Sequence, residues 1–434
     1  MEIIKSAKKN TIKEIFEDHW EEYLNKHINN VSDYQVNEVE KMLACRDPKK
    51  LGYHKYACPN HPDKCVVVPH SCKSRFCNVC GALATDKWMN EAMEYFPDRA
   101  YFHLVFTIPD YLWYFFASHD KKLLGLLFES ANKTVSGWFK HRKIIPAAIA
   151  VLHTFGKKIN YNTHIHMIVS AGGLKLVKPK KARIDSRVKK NRGKNKDIKN
   201  NSEDYVWKDI SKLPWEAIRK RWKAILLKKL RQLVDNHLRD TVQKKQWYFW
   251  VSKALDNPAI TCRYIGRYSK RPPMAETRIT GYDGDFVTFY YEEREIGSGN
   301  NIRKKKERLR LCWEEFINRL IAHIPPPYFR MVRHYGILSN AKKSELLPIA
   351  FSLLDQATKK QPKWLLWRER QKEYLHHDPL LCPVCKKEMV LTEFAFWSKR
   401  NDSLYIKHMN LELELIAQTK GGLCLKWVFS PVFA

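Results

Sequence analysis

The sequence predicts an α+β fold: an antiparallel sheet of the ferredoxin or RNA-recognition type with helices on one face, preceded by a zinc-binding domain. Three observations lead there. From Tyr101 to Val169 the hydrophobic pattern runs strand, helix, strand, strand, and strands joined by a short turn pair antiparallel. The last of these, Thr163-His164-Ile165-His166-Met167-Ile168-Val169, is β-branched and apolar apart from two histidines, and Gly172-Gly173 is expected to stop it. Upstream, five cysteines fall between Cys58 and Cys80 at spacings that suit zinc.

Bulk properties narrow the class. At 434 residues the chain is long enough for two or three cores, and the pattern divides it into 1–98, 99–300 and 301–434. Lys and Arg number 78 against 46 acids, a formal charge of +32 that would oppose compaction unless a polyanion is the partner. The 14 Trp, 20 Tyr and 20 Phe suit single-stranded nucleic acid, whose unstacked bases need flat partners. No apolar run approaches the ~18 residues of a membrane span, and the N-terminal residues do not read as a signal peptide. Clustered cysteines at zinc spacings fit a reducing cytoplasm.

Residues 1–50 read as helical and polar, with Ile12, Ile15, Phe16, Trp20 and Tyr23 forming a packing stripe. Cys77-x2-Cys80-Gly81 is a knuckle presenting two thiolates to one zinc. Cys58 with His61 or Cys65 would supply the other half, and Cys72 is a further candidate. Six potential ligands exceed the four that one zinc takes, so spacing does not select among them. Lys73, Arg75 and Lys87 flank the knuckle and suggest contact with a DNA backbone.

Tyr101–Ile108 reads as a strand closed by Pro109, and 120–143 as a helix burying Leu123, Leu127, Ala131, Val135, Trp138 and Phe139. Ile149–Phe155 is the next strand, and Gly156–Asn162 the turn into the double-histidine strand. Side chains alternate along a strand, so His164 and His166 share a face about 7 Å apart, a spacing from which two imidazoles can grip one divalent cation. Taken alone, two histidines satisfied by neighbouring hydrogen bonds explain such a pair equally simply. The segment 174–204 holds 12 Lys or Arg between Lys175 and Lys199 against Asp185 and Asp197, and reads as a disordered basic insertion able to touch phosphates. Trp215, Ile218, Trp222, Ile225, Leu226, Leu230 and Leu233 then mark an amphipathic helix.

Trp247–Val251 is a strand, and Asn257-Pro258 opens a helix running to Arg271, before the Pro272-Pro273 stop. On it Tyr264 and Tyr268 lie four apart, on one face, with Arg263, Arg267, Lys270 and Arg271 around them. A packing pair of tyrosines has no use for four cations. A phenol attacking a phosphodiester does, because cations stabilise its oxyanion and neutralise the phosphate. Gly266 costs about 1 kcal/mol of helix propensity, which fits a close approach of a backbone or sugar-phosphate.

The His-Ile-His strand ending in Gly-Gly, the segment Arg263-Tyr264-Ile265-Gly266-Arg267-Tyr268-Ser269-Lys270-Arg271-Pro272 and the knuckle Ser71-Cys72-Lys73-Ser74-Arg75-Phe76-Cys77 occur in this order. Together they resemble the two-tyrosine HUH transposases of the IS-ninety-one-like insertion sequences, from the N-terminal helix to about Tyr335-Gly336. His61, where many relatives carry cysteine, and the basic insertion depart from the pattern. The resemblance implies an HUH-type palm in which His164 and His166 hold Mg2+ or Mn2+, with a third ligand from His103, His153 or Asn162. It implies attack by one tyrosine, Tyr264 placed first, on single-stranded DNA at the element end. The products are a 5′-phosphotyrosine and a free 3′-OH, and the second tyrosine serves the other strand transfer. Structural Zn2+, target DNA as a further partner and no membrane complete the expectation. A replication initiator or relaxase-like nickase of the same chemistry, and a non-catalytic zinc DNA-binding protein, are the competing readings.

Of the remainder, Tyr282-Asp283-Gly284-Asp285 followed by Phe286–Tyr290 is a hairpin with an Asp-Gly turn. Residues 301–322 read as a basic helix with Leu309, Trp313, Phe316 and Leu320 inward. Cys382-x2-Cys385 is half a zinc site that His376, His377 or Cys424 could complete, and an unmetallated turn explains it equally well.

Overall fold

A computed structural model of the chain describes residues 11–118, 120–177, 204–255, 266, 272–296, 302–357, 366–398, 403–412 and 428–431. The chain divides into two units, one of residues 1–30 with 82–362 and the other of 31–81 with 363–434. The division differs from sequence boundaries at 98 and 300 because strand Gly52–Ala57 pairs with Val390–Ser398, drawing both ends of the zinc-ligand sequence into one sheet.

The larger unit is built on a five-stranded antiparallel sheet. Its order is Val332–Gly336, Ala147–Phe155, Tyr161–Ser170, Tyr101–Thr107 and Phe249–Val251. The helix expected after the first strand runs Lys121–His141, its N-terminus capped by the Asp120 side chain. It and Trp215–Leu230 cover one face of the sheet, where Leu127, Phe128, Ala131, Trp222 and Leu226 pack on Leu104, Phe106, Leu152, Ile165 and Met167. Buried Ile218, Trp222, Leu226 and Leu230 recur every four residues. The Trp222 indole donates to the Thr107 carbonyl at 2.9 Å, fastening this helix to the sheet. Trp215 and Leu233, expected on the same stripe, are exposed.

The opposite face carries Tyr101, Ile149, Val151 and Ile168, packed against Ala92 and Phe96 and against Leu346, Ala350 and Phe351 of helix Lys343–Leu353. Gly172-Gly173 does not end the β structure. It opens strand Gly172–Leu176, which joins Ile144–Ile145 and Tyr205–Asp209 in a separate three-stranded sheet. A Cβ at Gly173 would lie 2.2 Å from the Ile145 carbonyl oxygen, so close backbone passage requires this glycine. Most of the basic insertion, 178–203, falls outside the described residues.

The Asp-Gly hairpin forms as expected, with Asp283 Oδ1 accepting from the amides of Asp285 and Phe286. The 301–322 expectation is corrected. Ile302–Cys312 is a strand paired with Phe286–Ile296, and only Trp313–Ile321 is helical. The cause is non-local: Lys306 and Lys305 face Glu292 and Glu293 across the ladder, pairings that no local periodicity reveals. Helix Ile12–His27 buries the expected stripe, and Tyr23 donates to Asn318 Oδ1 on helix Trp313–Ile321.

The smaller unit holds a five-stranded sheet in the order Val428–Pro431, Ser403–Glu412, Val390–Ser398, Gly52–Ala57 and Cys65–Pro69. Helix Asp33–Leu43 belongs to the same unit and opens with a Ser32–Gln35 capping box. Among the described residues no helix is long and apolar enough to cross a membrane.

Trp222→Ala should destabilise the larger unit by about 3–5 kcal/mol, since it deletes a fully buried indole and its hydrogen bond. Trp215→Ala should cost under about 0.5 kcal/mol. Denaturant unfolding of the two variants checks the contrast, and equal losses would mean that the helix packs through another face.

Candidate metal centres and the histidine face

Cross-strand register decides which side chains meet. In the ladder His164 stands opposite His153 on one side and Thr107 on the other, while His166 stands opposite Val151 and Val105. Directly paired residues project to the same face, so His153, His164 and His166 converge on the face away from the two long helices. Their ligand atoms all lie within 4.8 Å of one another. His153 and His166 are buried and His164 is partly exposed.

The three candidates for the additional ligand separate. His153 joins His164 and His166. Asn162 instead accepts from His164 Nδ1–H through its main-chain carbonyl, at 2.7 Å, which leaves the His164 Nε2 lone pair for a metal. His103 sits behind His166, its Nε2 2.8 Å from His166 Nδ1. Burial pushes His103 and His164 down to about 4. Burial, reinforced by the neighbouring imidazoles, holds His153 and His166 well below the usual histidine range. All four rings are therefore neutral near pH 7, the protonation state that a ligand needs. Three imidazoles without a carboxylate suit a transition ion better than Mg2+, which prefers oxygen ligands.

Tyr264, Tyr268, Arg263, Arg267, Lys270 and Arg271 lie outside the described residues, as does Cys424. Gly266, between the tyrosines, is described and buried. A Cβ there would come within 2.8 Å of the Trp88 ring and 3.0 Å of Met89 Cγ. The expectation of a backbone or sugar-phosphate at this glycine is corrected: the space is filled by side chains of helix Asn78–Tyr95. The same helix contributes Ala92 to the cluster on the histidine side of the sheet.

The six zinc candidates do not form one site. Cys72, Cys77 and Cys80 gather with Cys45, which follows helix Asp33–Leu43. Cys58 and His61 gather with Cys382 and Cys385. Cys65 is exposed and belongs to neither group. His376 and His377 stay out of the second group, so the C-terminal knuckle is completed from the opposite end of the sequence. The register Ala57↔Val390 does this, placing Cys58 beside the Cys382–Met389 turn. In the first group the sulfurs of Cys45–Cys80, Cys72–Cys80 and Cys77–Cys45 are 3.6, 3.5 and 3.6 Å apart. In the second, Cys58–Cys385 is 3.5 Å and His61 Nδ1 lies 3.8 and 3.7 Å from Cys58 and Cys382. A disulfide would need ~2.05 Å. A tetrahedron with ~2.3 Å Zn–S bonds has edges of roughly 3.7 Å, close to these separations. Hydrogen bonds from Cys45, Cys72 and Cys77 hold the Cys80 thiol below its ordinary range.

Sequence reasoning missed Cys45, which is absorbed in a helical pattern. The available signal was arithmetic: two knuckles, each lacking two ligands, need a second pair apiece.

Residues 147–345 match a family model described as "Putative transposase", and residues 15–108 match one described as "Transposase zinc-binding domain". The "Transposase for insertion sequence element IS801" of Pseudomonas savastanoi pv. phaseolicola is 30% identical over 410 residues, covering 89% of each chain. The "Putative transposase y4qJ" of Sinorhizobium fredii (strain NBRC 101917 / NGR234) is 23% identical over 411 residues, covering 88% of this chain and 94% of that one. No solved structure matches the chain. Identity at this level over nearly the whole length, with both family models in place, shows that the chain belongs to the IS-ninety-one-like transposases and has their N-terminal zinc-binding domain.

Proposed function

We propose that the protein is an HUH-type enzyme that nicks and joins single-stranded DNA at the ends of its insertion sequence. The single observation that carries the reading is the convergence of His153, His164 and His166 on one face of the central sheet. A divalent ion bound there, Mn2+ or Mg2+, would withdraw charge from the scissile phosphate. The Tyr264 phenol oxygen attacks phosphorus, the bond to the 3′ oxygen breaks, and a 5′-phosphotyrosine and a free 3′-OH result. The phosphodiester energy is kept in the new ester, so no nucleotide is consumed. Tyr268 takes the second transfer, and Arg263, Arg267, Lys270 and Arg271 neutralise phosphate and phenolate. Gly266 supports this role by its place: two residues from each tyrosine, it packs on the helix that also covers the histidine side of the sheet.

A labelled single strand spanning the element end, incubated with Mn2+ and run on a denaturing gel, should yield a covalent adduct. His166→Ala should cut its yield by about 100-fold or more, and Tyr264→Phe with Tyr268→Phe should abolish it. An adduct that survives the double substitution would remove the tyrosines from the mechanism. Absence of an adduct with the unaltered protein would overturn the phosphotyrosine mechanism itself.

The chain holds two zinc ions under this account, one per cysteine group. Metal analysis should return about two zinc per chain, about one for Cys382→Ser and for Cys72→Ser, and still two for Cys65→Ser. A loss of zinc in Cys65→Ser comparable to that in Cys382→Ser would contradict the ligand sets.

A further inference from the structure

Strand Phe249–Val251 lies at the edge of the central sheet, and the run Trp247-Tyr248-Phe249-Trp250 divides sharply by face. Trp247 and Phe249 are 1% and 8% exposed and join the helical core. Tyr248 and Trp250 are 66% and 53% exposed. Trp250 stands opposite Val105, which is itself opposite His166, so its indole projects on the histidine side. The Trp250 ring meets His103 edge-on at 5.2 Å, and His103 stacks on His166 at 5.0 Å. Trp250 thus stands in solvent one imidazole away from a proposed metal ligand, and Tyr248 lies on the same face of the strand. Both lie on the face of this edge strand turned away from the helical core. Lys245 and Lys253, three residues to either side, are also exposed.

We infer that Tyr248 and Trp250 form a stacking platform for unpaired bases of the DNA strand, holding the nucleotide next to the scissile phosphate. An aromatic face accepts any base, and the flanking lysines suit the phosphates between them. A paired base has its faces covered by its neighbours, so the platform selects single strands over duplex. The path of the strand past the histidines rests on the function proposed above; the stacking itself does not, because it needs neither metal nor nucleophile.

The test uses the full chain with Tyr264→Phe and Tyr268→Phe, which removes cleavage, and fluorescence anisotropy with a labelled oligothymidylate and with a duplex of matched length. Trp250→Ala and Tyr248→Ala should each weaken single-strand binding by roughly five- to a hundredfold. Trp250→Phe, which keeps a flat ring, should recover most of the loss, and duplex affinity should stay within about twofold. Unchanged single-strand affinity in Trp250→Ala, equal losses on both probes, or a change in oligomeric state instead of affinity would each overturn the platform. Adduct formation is scored separately with the tyrosines intact. Platform losses without any wild-type adduct would reject the nuclease reading and keep the platform; an adduct with normal single-strand affinity in Trp250→Ala would do the reverse.

Discussion

Because side chains alternate along a strand, the register of Tyr161–Ser170 against its two neighbours governs what His164 and His166 can do. A slip of one residue on either side would turn both imidazoles into the helical core, where Ile165 and Met167 now sit. The present register puts His153 across from His164 and leaves the Val105 and Val151 pair beside His166. The register is itself held by the opposite face. Leu104, Phe106, Leu152, Ile165 and Met167 are fully buried under two helices, and a slip would expose them.

The two faces of the sheet therefore divide the work. One supplies stability through large apolar residues and the Trp222 anchor to Thr107. The other is apolar at the Tyr101–Ile168 end and polar at the histidine end, so a packed apolar floor adjoins imidazoles that hydrogen bonds orient. The Asn162 carbonyl fixes the tautomer of His164, and His103 braces His166. Burial keeps the rings neutral, so their lone pairs are not taken up by protons.

How much of this could be read from the sequence depended on whether the relevant interaction was local. The histidine strand was legible, since a period of two over seven residues puts both rings on one side whatever the rest of the fold does. Which further residue joined them was not, because His153 and His103 are brought in by pairing with strands on either side. The same limit governed the cysteines. Spacing identified Cys77-x2-Cys80 and Cys382-x2-Cys385 as knuckles, but the Ala57↔Val390 register assigned Cys58 and His61 to the distant one, and Cys45 to the near one by exclusion. The segment 302–312 misled for a related reason. Leu309, Trp313, Phe316 and Leu320 have helical spacing, but the pairing with Phe286–Ile296 makes a strand in which Leu309 and Leu311 stand opposite buried Phe289 and Val287. Trp250 was read as part of a strand, yet its exposure follows from the sheet's edge, which no local pattern marks.

The convergence of three imidazoles on one ion is the claim on which the remainder turns. Electron–nuclear double resonance of the Mn2+-loaded protein, grown with 15N-histidine, measures it directly. Three imidazole couplings are predicted for the unaltered chain and two for His153→Ala. A spectrum showing only water and phosphate oxygens around the manganese would contradict the account.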